Sequence, residues 1–189
     1  LELLERDGQQ LLERHPLALE LEHAGLEARH VEEVAAQPLE PLCLVADGAT
    51  LYAGTSGSGA FVSGNGGSTW QALGVIPNPN VMAMGVAPGV LLAGTYDGLY
   101  RSIDGGAHWS DASGGLTTRY VTAFATSAPY VFAAASGGVH RSSDGGASWT
   151  PVNTGLTNGN VFGLLAVGSE LYVATSGGGV FRSLDAGDH

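Results

Sequence analysis

Apolar and polar positions alternate over short distances through residues 41–189, and Gly-rich strings interrupt them at regular spacing. The stretches Leu51-Tyr-Ala-Gly-Thr55, Leu91-Leu-Ala-Gly-Thr95, Val131-Phe-Ala-Ala-Ala135 and Leu171-Tyr-Val-Ala-Thr175 recur at steps of 40 residues. Alternation at period two, bounded by turn residues, predicts β-strands, and the glycine density excludes a helical repeat of this length. The second unit shows the pattern most plainly. Strands are predicted over Val81–Val86, Val90–Thr95, Leu99–Ser102 and His108–Asp111, with turns at Pro88-Gly89, Tyr96-Asp97-Gly98 and Asp104-Gly105-Gly106. Four strands per period of about 40 residues is the signature of a β-propeller blade. The chain therefore reads as all-β, a partial β-propeller of about four four-stranded units. They begin near residues 41, 81, 121 and 161, and the last is truncated.

One string recurs between the third and fourth strands. It runs Ser63-Gly-Asn65-Gly-Gly-Ser-Thr-Trp70, Ser102-Ile-Asp104-Gly-Gly-Ala-His-Trp109 and Ser142-Ser-Asp144-Gly-Gly-Ala-Ser-Trp149. A fourth copy, Ser183-Leu-Asp185-Ala-Gly-Asp-His189, stops one residue before its Trp would fall. The Asp can accept hydrogen bonds from N–H groups of its own turn, and the Gly pair supplies positive φ. Asn65 keeps that ability in the first copy. The Trp offers a large apolar face that would lock the hairpin onto its sheet. These strings are expected to be structural fasteners, each contributing about 1 kcal/mol.

The box resembles the Asp-box, or BNR repeat, of sialidase-type and xyloglucanase-type propellers. It also looks like the repeats of the sortilin luminal domain and of photosystem II assembly-factor propellers. The resemblance covers residues 41–189. It implies a propeller, but the same box occurs in enzymes, receptors and assembly factors, so it does not fix an activity. A secreted or cell-envelope location is implied by the resemblance alone.

Residues 1–40 fall outside the repeat. Leu1–Arg14 and Leu17–Ala36 have helix-forming composition, broken at His15-Pro16. They are expected to form an acidic helical extension: a docking pair, a cap over an open sheet, or a solvated tail. This segment carries a net charge of −7 against −4 for the remainder. The chain as a whole is at −11, with seven Arg and no Lys, which excludes nucleic-acid binding by phosphate neutralisation. No apolar run approaches membrane-spanning length. Cys43 is the single cysteine, so no internal disulfide can form. No cofactor is implied. A start at Leu1 and an end inside a box are expected of a fragment, whose open sheet edges could drive oligomerisation.

Positions shared by every unit serve the unit, so function is sought where the pattern breaks. In a propeller the turn after the second strand shares one face with the crossover to the next unit. The boxes lie on the other. Three of these turns read Ser-Gly, at Ser56, Ser136 and Ser176, whereas the second unit has Tyr96-Asp97-Gly98. With Asn80, Arg119, Tyr120 and Asn160 of the crossovers, Tyr96 and Asp97 form a candidate recognition rim. The same residues also fit ordinary hairpins and loops. Arg101, Arg141 and Arg182 each precede a box Ser, a periodic placement that points to structure rather than to a sialidase-like arginine triad. A glycosidase needs two carboxylates about 5–10 Å apart. Only Asp97 is expected near the rim, and Asp111 is expected far from it. His108 and His140 read as packing residues on strands, and no metal site is expected. The function favoured is a non-catalytic binding or assembly scaffold for a protein or glycan. The alternative is part of a glycoside hydrolase whose remaining catalytic residues lie in other blades.

Overall fold

A computed structural model of the chain describes residues 41–189. The helices expected over residues 1–40 lie outside the described residues. The first sheet contains β1 (Pro41–Asp47), β2 (Thr50–Thr55), β3 (Ala60–Ser63) and β4 (Gln71–Ala72). The second contains β5 (Val81–Ala87), β6 (Val90–Thr95), β7 (Leu99–Ser102) and β8 (Ser110–Asp111). The third contains β9 (Val121–Ser127), β10 (Tyr130–Ala135), β11 (Gly138–Ser142) and β12 (Thr150–Pro151). The fourth has three strands, β13 (Val161–Val167), β14 (Glu170–Thr175) and β15 (Gly179–Ser183). Every sheet is antiparallel in chain order, and together they form the partial β-propeller predicted from the period.

The fourth strands are shorter than expected. In the second unit the strand begins at Ser110 rather than His108. The cause is local: the Asp104 carboxylate accepts from the His108 N–H at 3.0 Å and keeps that residue in the turn. His108 is correspondingly a solvent-facing turn residue, not a packing residue on a strand. His140 does sit in the core, fully buried on β11, with Nε2 accepting from the Thr117 N–H at 3.2 Å.

The four first strands, β1, β5, β9 and β13, lie side by side. Each has a register shift at its second position, and Thr122 uses the one in β9 to donate to the Val161 carbonyl at 3.0 Å. Close approach demands a small residue opposite the start of the following first strand. A Cβ at Gly54 would sit 2.5 Å from Val81, and one at Gly94 would sit 2.8 Å from Val121. Ala134 and Ala174 hold the equivalent places in the third and fourth sheets.

Apolar side chains fill each seam from both sides. Leu92, Leu99 and Ala112 of the second unit meet Val121, Val131, Ala133 and Trp149 of the third. Phe132, Ala134 and Val139 of the third unit then meet Val161, Leu171 and Val173 of the fourth. Complete burial of one such side chain contributes about 1.5–3 kcal/mol. A polar bond spans each of these two seams as well. Arg101 Nε donates to the Gly145 carbonyl at 2.8 Å, and Arg141 Nη1 donates to Ala186 at 2.9 Å. These carbonyls occupy the same place in consecutive boxes, so both arginines tie one sheet to the turn of the next. Val62 stands at that place in the first unit. Arg182 of the fourth instead folds back onto Glu170, 2.8 Å away.

The outward face of the fourth sheet differs from its equivalents. Val180 is 73% exposed, whereas Ala60, Leu99 and Val139 at the same place are 3%, 0% and 1% exposed under the following sheet. Leu165 and Val167 are exposed on the same side.

Of the three tryptophans, Trp149 works across a seam, Trp109 bonds its own turn and Trp70 packs within the first unit. Trp149 packs with Leu92 and Leu99 of the preceding unit, and its indole Nε1–H donates to the Ala112 carbonyl at 3.0 Å. Trp109 packs with Leu73 and donates to Gly106 of its own turn at 3.1 Å. Trp70 Nε1 is buried without a partner. Trp149→Phe leaves the Ala112 carbonyl unpaired and is expected to cost about 2 kcal/mol. Trp70→Phe removes no hydrogen bond and should cost about 1 kcal/mol less. Urea denaturation of both variants checks the difference, and equal losses would count against the indole bond across the seam.

Candidate functional site

Strand parity divides the chemistry into two faces. In a four-stranded antiparallel unit the turn after the second strand and the exit from the fourth share one end. The turns after the first and third strands share the other. The boxes therefore occupy the end opposite the crossovers.

In all four boxes the Ser hydroxyl donates to the Asp or Asn side chain. The distances are 2.9 Å at Ser63, 2.8 Å at Ser102, 2.6 Å at Ser142 and 2.7 Å at Ser183. The same hydroxyl accepts from the N–H of Gly67, Gly106, Gly146 or Gly187, at 2.8 Å each time. Asp104 and Asp185 further accept from the N–H of His108 and His189, and Asp144 from those of Ala147 and Ser148. Asn65 Oδ1 accepts from Thr69 in the same way. These bonds hold the carboxyls well below the usual carboxylate range. The main cause is the His108 N–H for Asp104, the Ser142 hydroxyl for Asp144 and the His189 N–H for Asp185.

On the crossover face, four of the six rim residues come together. Tyr96 follows β6 and Tyr120 precedes β9, and their rings stack with centroids 5.2 Å apart and planes 2° apart. Tyr96 is 54% exposed. The Ser136 N–H donates to the Tyr120 carbonyl at 3.1 Å, so the pair straddles the second and third units. Arg119 Nη1 donates to the Asp97 carbonyl at 3.0 Å, fastening the crossover to the turn. The Asp97 carboxylate accepts from Thr95 Oγ1 at 2.8 Å and from the Tyr100 hydroxyl at 3.4 Å.

Asn80 and Asn160 stand apart from this group, each closing a turn in another crossover. Their N–H groups donate to Asn78 and Asn158 at 2.9 Å. Asp111, expected far from the rim, belongs to it: its carboxylate lies 3.4 Å from Arg119 Nη1. The reason is strand parity: Asp111 ends β8, and the exit of the fourth strand lies on the crossover face. Its pairing opposite Tyr100 on β7 was the available signal. Ser113 holds the Asp111 carboxyl below its usual range, with Arg119 adding to the effect. Burial raises the Tyr100 hydroxyl, and the charges of Asp97 and Asp111 raise it further.

Among the described residues, no three His, Cys, Asp or Glu side chains are placed to hold a metal ion. No helix among them is long and apolar enough to cross a membrane.

No family model matches the chain. No curated protein matches it either. Solved structures do. It is similar to an ancestral GH74 enzyme, with 22% identity and a TM-score of 0.62, covering 78% of this chain and 23% of that one. It is also similar to YCF48 bound to D1 peptide, with 16% identity and a TM-score of 0.55, over 78% of this chain and 52% of that one. A third is the extracellular domain of a putative one component system from B. thetaiotaomicron, with 17% identity and a TM-score of 0.63. That match covers 80% of this chain and 21% of that domain. The chain thus spans from about a fifth to about half of these proteins. At these identities the likeness is one of fold.

The box carboxyls predict an acid sensitivity of definite sign. Each is held below its unfolded value, so its stabilisation is complete above the ordinary carboxylate pKa, about 4. It is lost as pH falls from there toward the folded value. Asp144→Asn keeps the acceptor, as Asn65 does naturally, and removes that titration. Thermal melts between about pH 5 and pH 2 should show a shallower decline for the variant than for the parent. Parallel declines would mean that the carboxylate contributes nothing to the fold.

Proposed function

We propose that the chain serves as a non-catalytic binding or assembly scaffold and takes a protein or glycan ligand on its crossover face. The stacked Tyr96–Tyr120 pair carries this reading. It stands at the one place where the turn after the second strand departs from Ser-Gly, and it bridges two units. Exposed aromatic rings offer large, rigid contact area, and an adjoining guanidinium adds directional donors; such groups dominate recognition surfaces. Arg119, Asp97 and Asp111 supply the polar partners around the rings. Asn80 and Asn160 lie on the same face as outlying contacts.

A glycoside hydrolase remains the alternative, since two carboxylates do converge here. Hydrolysis requires one of them to be protonated near neutral pH, and so to have a raised pKa. Asp111 is shifted the opposite way, which suits a charged partner of Arg119 rather than the acid of such a pair.

Binding is testable with soluble oligosaccharides and synthetic peptides screened in parallel against the immobilised chain. Tyr96→Ala and Tyr120→Ala are each expected to weaken a hit about tenfold or more. Box variants such as Asp104→Ala should lower the melting temperature and leave affinity unchanged. Hydrolysis of chromogenic glycosides, lost in Asp97→Asn, would overturn the scaffold.

A further inference from the structure

Charge on the crossover face is confined to the surroundings of the tyrosine pair. Among the described residues, the turns after the second strands and the crossovers carry no Asp, Glu, Lys or Arg besides Asp97 and Arg119. Asp111 joins them from the end of β8, so two acids stand against one base. Arg119 is already committed, with Nη1 on the Asp97 carbonyl and 3.4 Å from Asp111. The Asp97 side chain is exposed, and among the described residues its hydrogen bonds, from Thr95 and Tyr100, reach Oδ1 alone. Its Oδ2 is left for another donor. Tyr96, the preceding residue, has one ring face against Tyr120 and is 54% exposed, which leaves its other face open.

The chain shows twice what a tyrosine ring and a nearby carboxylate accommodate. Arg182 lies over the Tyr172 ring, 5.7 Å from its centroid, and donates to both oxygens of Glu170. Arg141 lies over the Tyr130 ring at 4.7 Å, with its Nη2 2.9 Å from Asp188. Among the described residues no guanidinium stands over Tyr96 or Tyr120. We propose that the open face of Tyr96 and the Asp97 carboxylate together receive an arginine side chain of a partner polypeptide. A planar guanidinium stacks on an aromatic face while its edge donates to a carboxylate. The net charge of −11 also favours encounter with a cationic segment. A neutral glycan would gain from the rings and nothing from the excess negative charge.

This inference rests on the crossover face being the binding surface and names its ligand. The probe is a short acetylated and amidated peptide with two arginines among glycines and serines. It is titrated into the full chain and followed by NMR of the Tyr96, Asp97 and Tyr120 amides. A citrulline counterpart keeps the planar side chains and lacks their charge. Saturable shifts are expected with the arginine peptide, with a Kd on the order of 1 mM. The citrulline peptide is expected to bind about fivefold more weakly, the combined worth of a cation over an exposed ring and an exposed ion pair. Tyr96→Phe keeps the ring and should bind like the parent, whereas Tyr96→Ala should lose the shifts. Asp97→Asn keeps the Oδ1 acceptor and should weaken the arginine peptide about threefold while leaving the citrulline peptide unaffected. Equal affinity for the two peptides would overturn the inference, as would arginine binding indifferent to both Tyr96→Ala and Asp97→Asn. If a neutral oligosaccharide binds in a Tyr96-dependent way and the arginine peptide does not, the inference fails and the scaffold reading stands. If no peptide or oligosaccharide of the parallel screen binds at this face, both fail.

Discussion

Everything in this molecule depends on the seam between consecutive sheets. A four-stranded sheet of this size has two faces to cover and too few residues to cover either by itself. The second and third units therefore each lend one face to the unit before and the other to the unit after. The constraint is visible in how little room is left. Gly54 and Gly94 stand where any larger residue would strike Val81 or Val121. Arg101 and Arg141 reach across to carbonyls that have no strand partner, so even the polar edges of the seam are shared. The boxes serve the same end. Their Ser and Asp close the turn, and the closed turn presents Trp149 and the Gly145 carbonyl to the preceding sheet.

Much of this was legible in the sequence because the period is rigid. Steps of 40 residues at Leu51, Leu91, Val131 and Leu171 located every second strand, and the box located every third-to-fourth turn. What the pattern does not record is which neighbour a side chain faces. Alternation says that a position is covered, not by what. Trp149 consequently looked like part of its own hairpin, although it acts on the adjoining unit. Strand ends were obscured for a related reason. His108 has a neutral place in an alternating pattern, but Asp104 captures its backbone, and that competition cannot be read from residue types alone.

The candidate site was legible to the extent that it breaks the repeat. Tyr96 and Asp97 stood out because three sister turns carry Ser-Gly. Their stacking on Tyr120 and their fastening by Arg119 follow from the crossover passing beside the turn, a consequence of topology. Asp111 was expected far from the rim because it sits two residues after a box Trp, a place that belongs to the fasteners in sequence and to the rim in space. The asparagines were misleading in the other direction. Asn80 and Asn160 are equivalent in the repeat, and each is occupied in shaping its own crossover.

The even number of strands per unit has a wider consequence. Because each unit returns the chain to the end it entered from, the fastening turns and the variable loops never exchange places, however many units are joined. Substitutions at one end can be sampled without disturbing the hydrogen bonds at the other. The architecture thus divides heredity into two ledgers, one copied nearly unchanged from unit to unit and one free to diverge. Tyr96 in a row of serines, and Tyr120 between two asparagines, mark where the variable end departs from its own repeat.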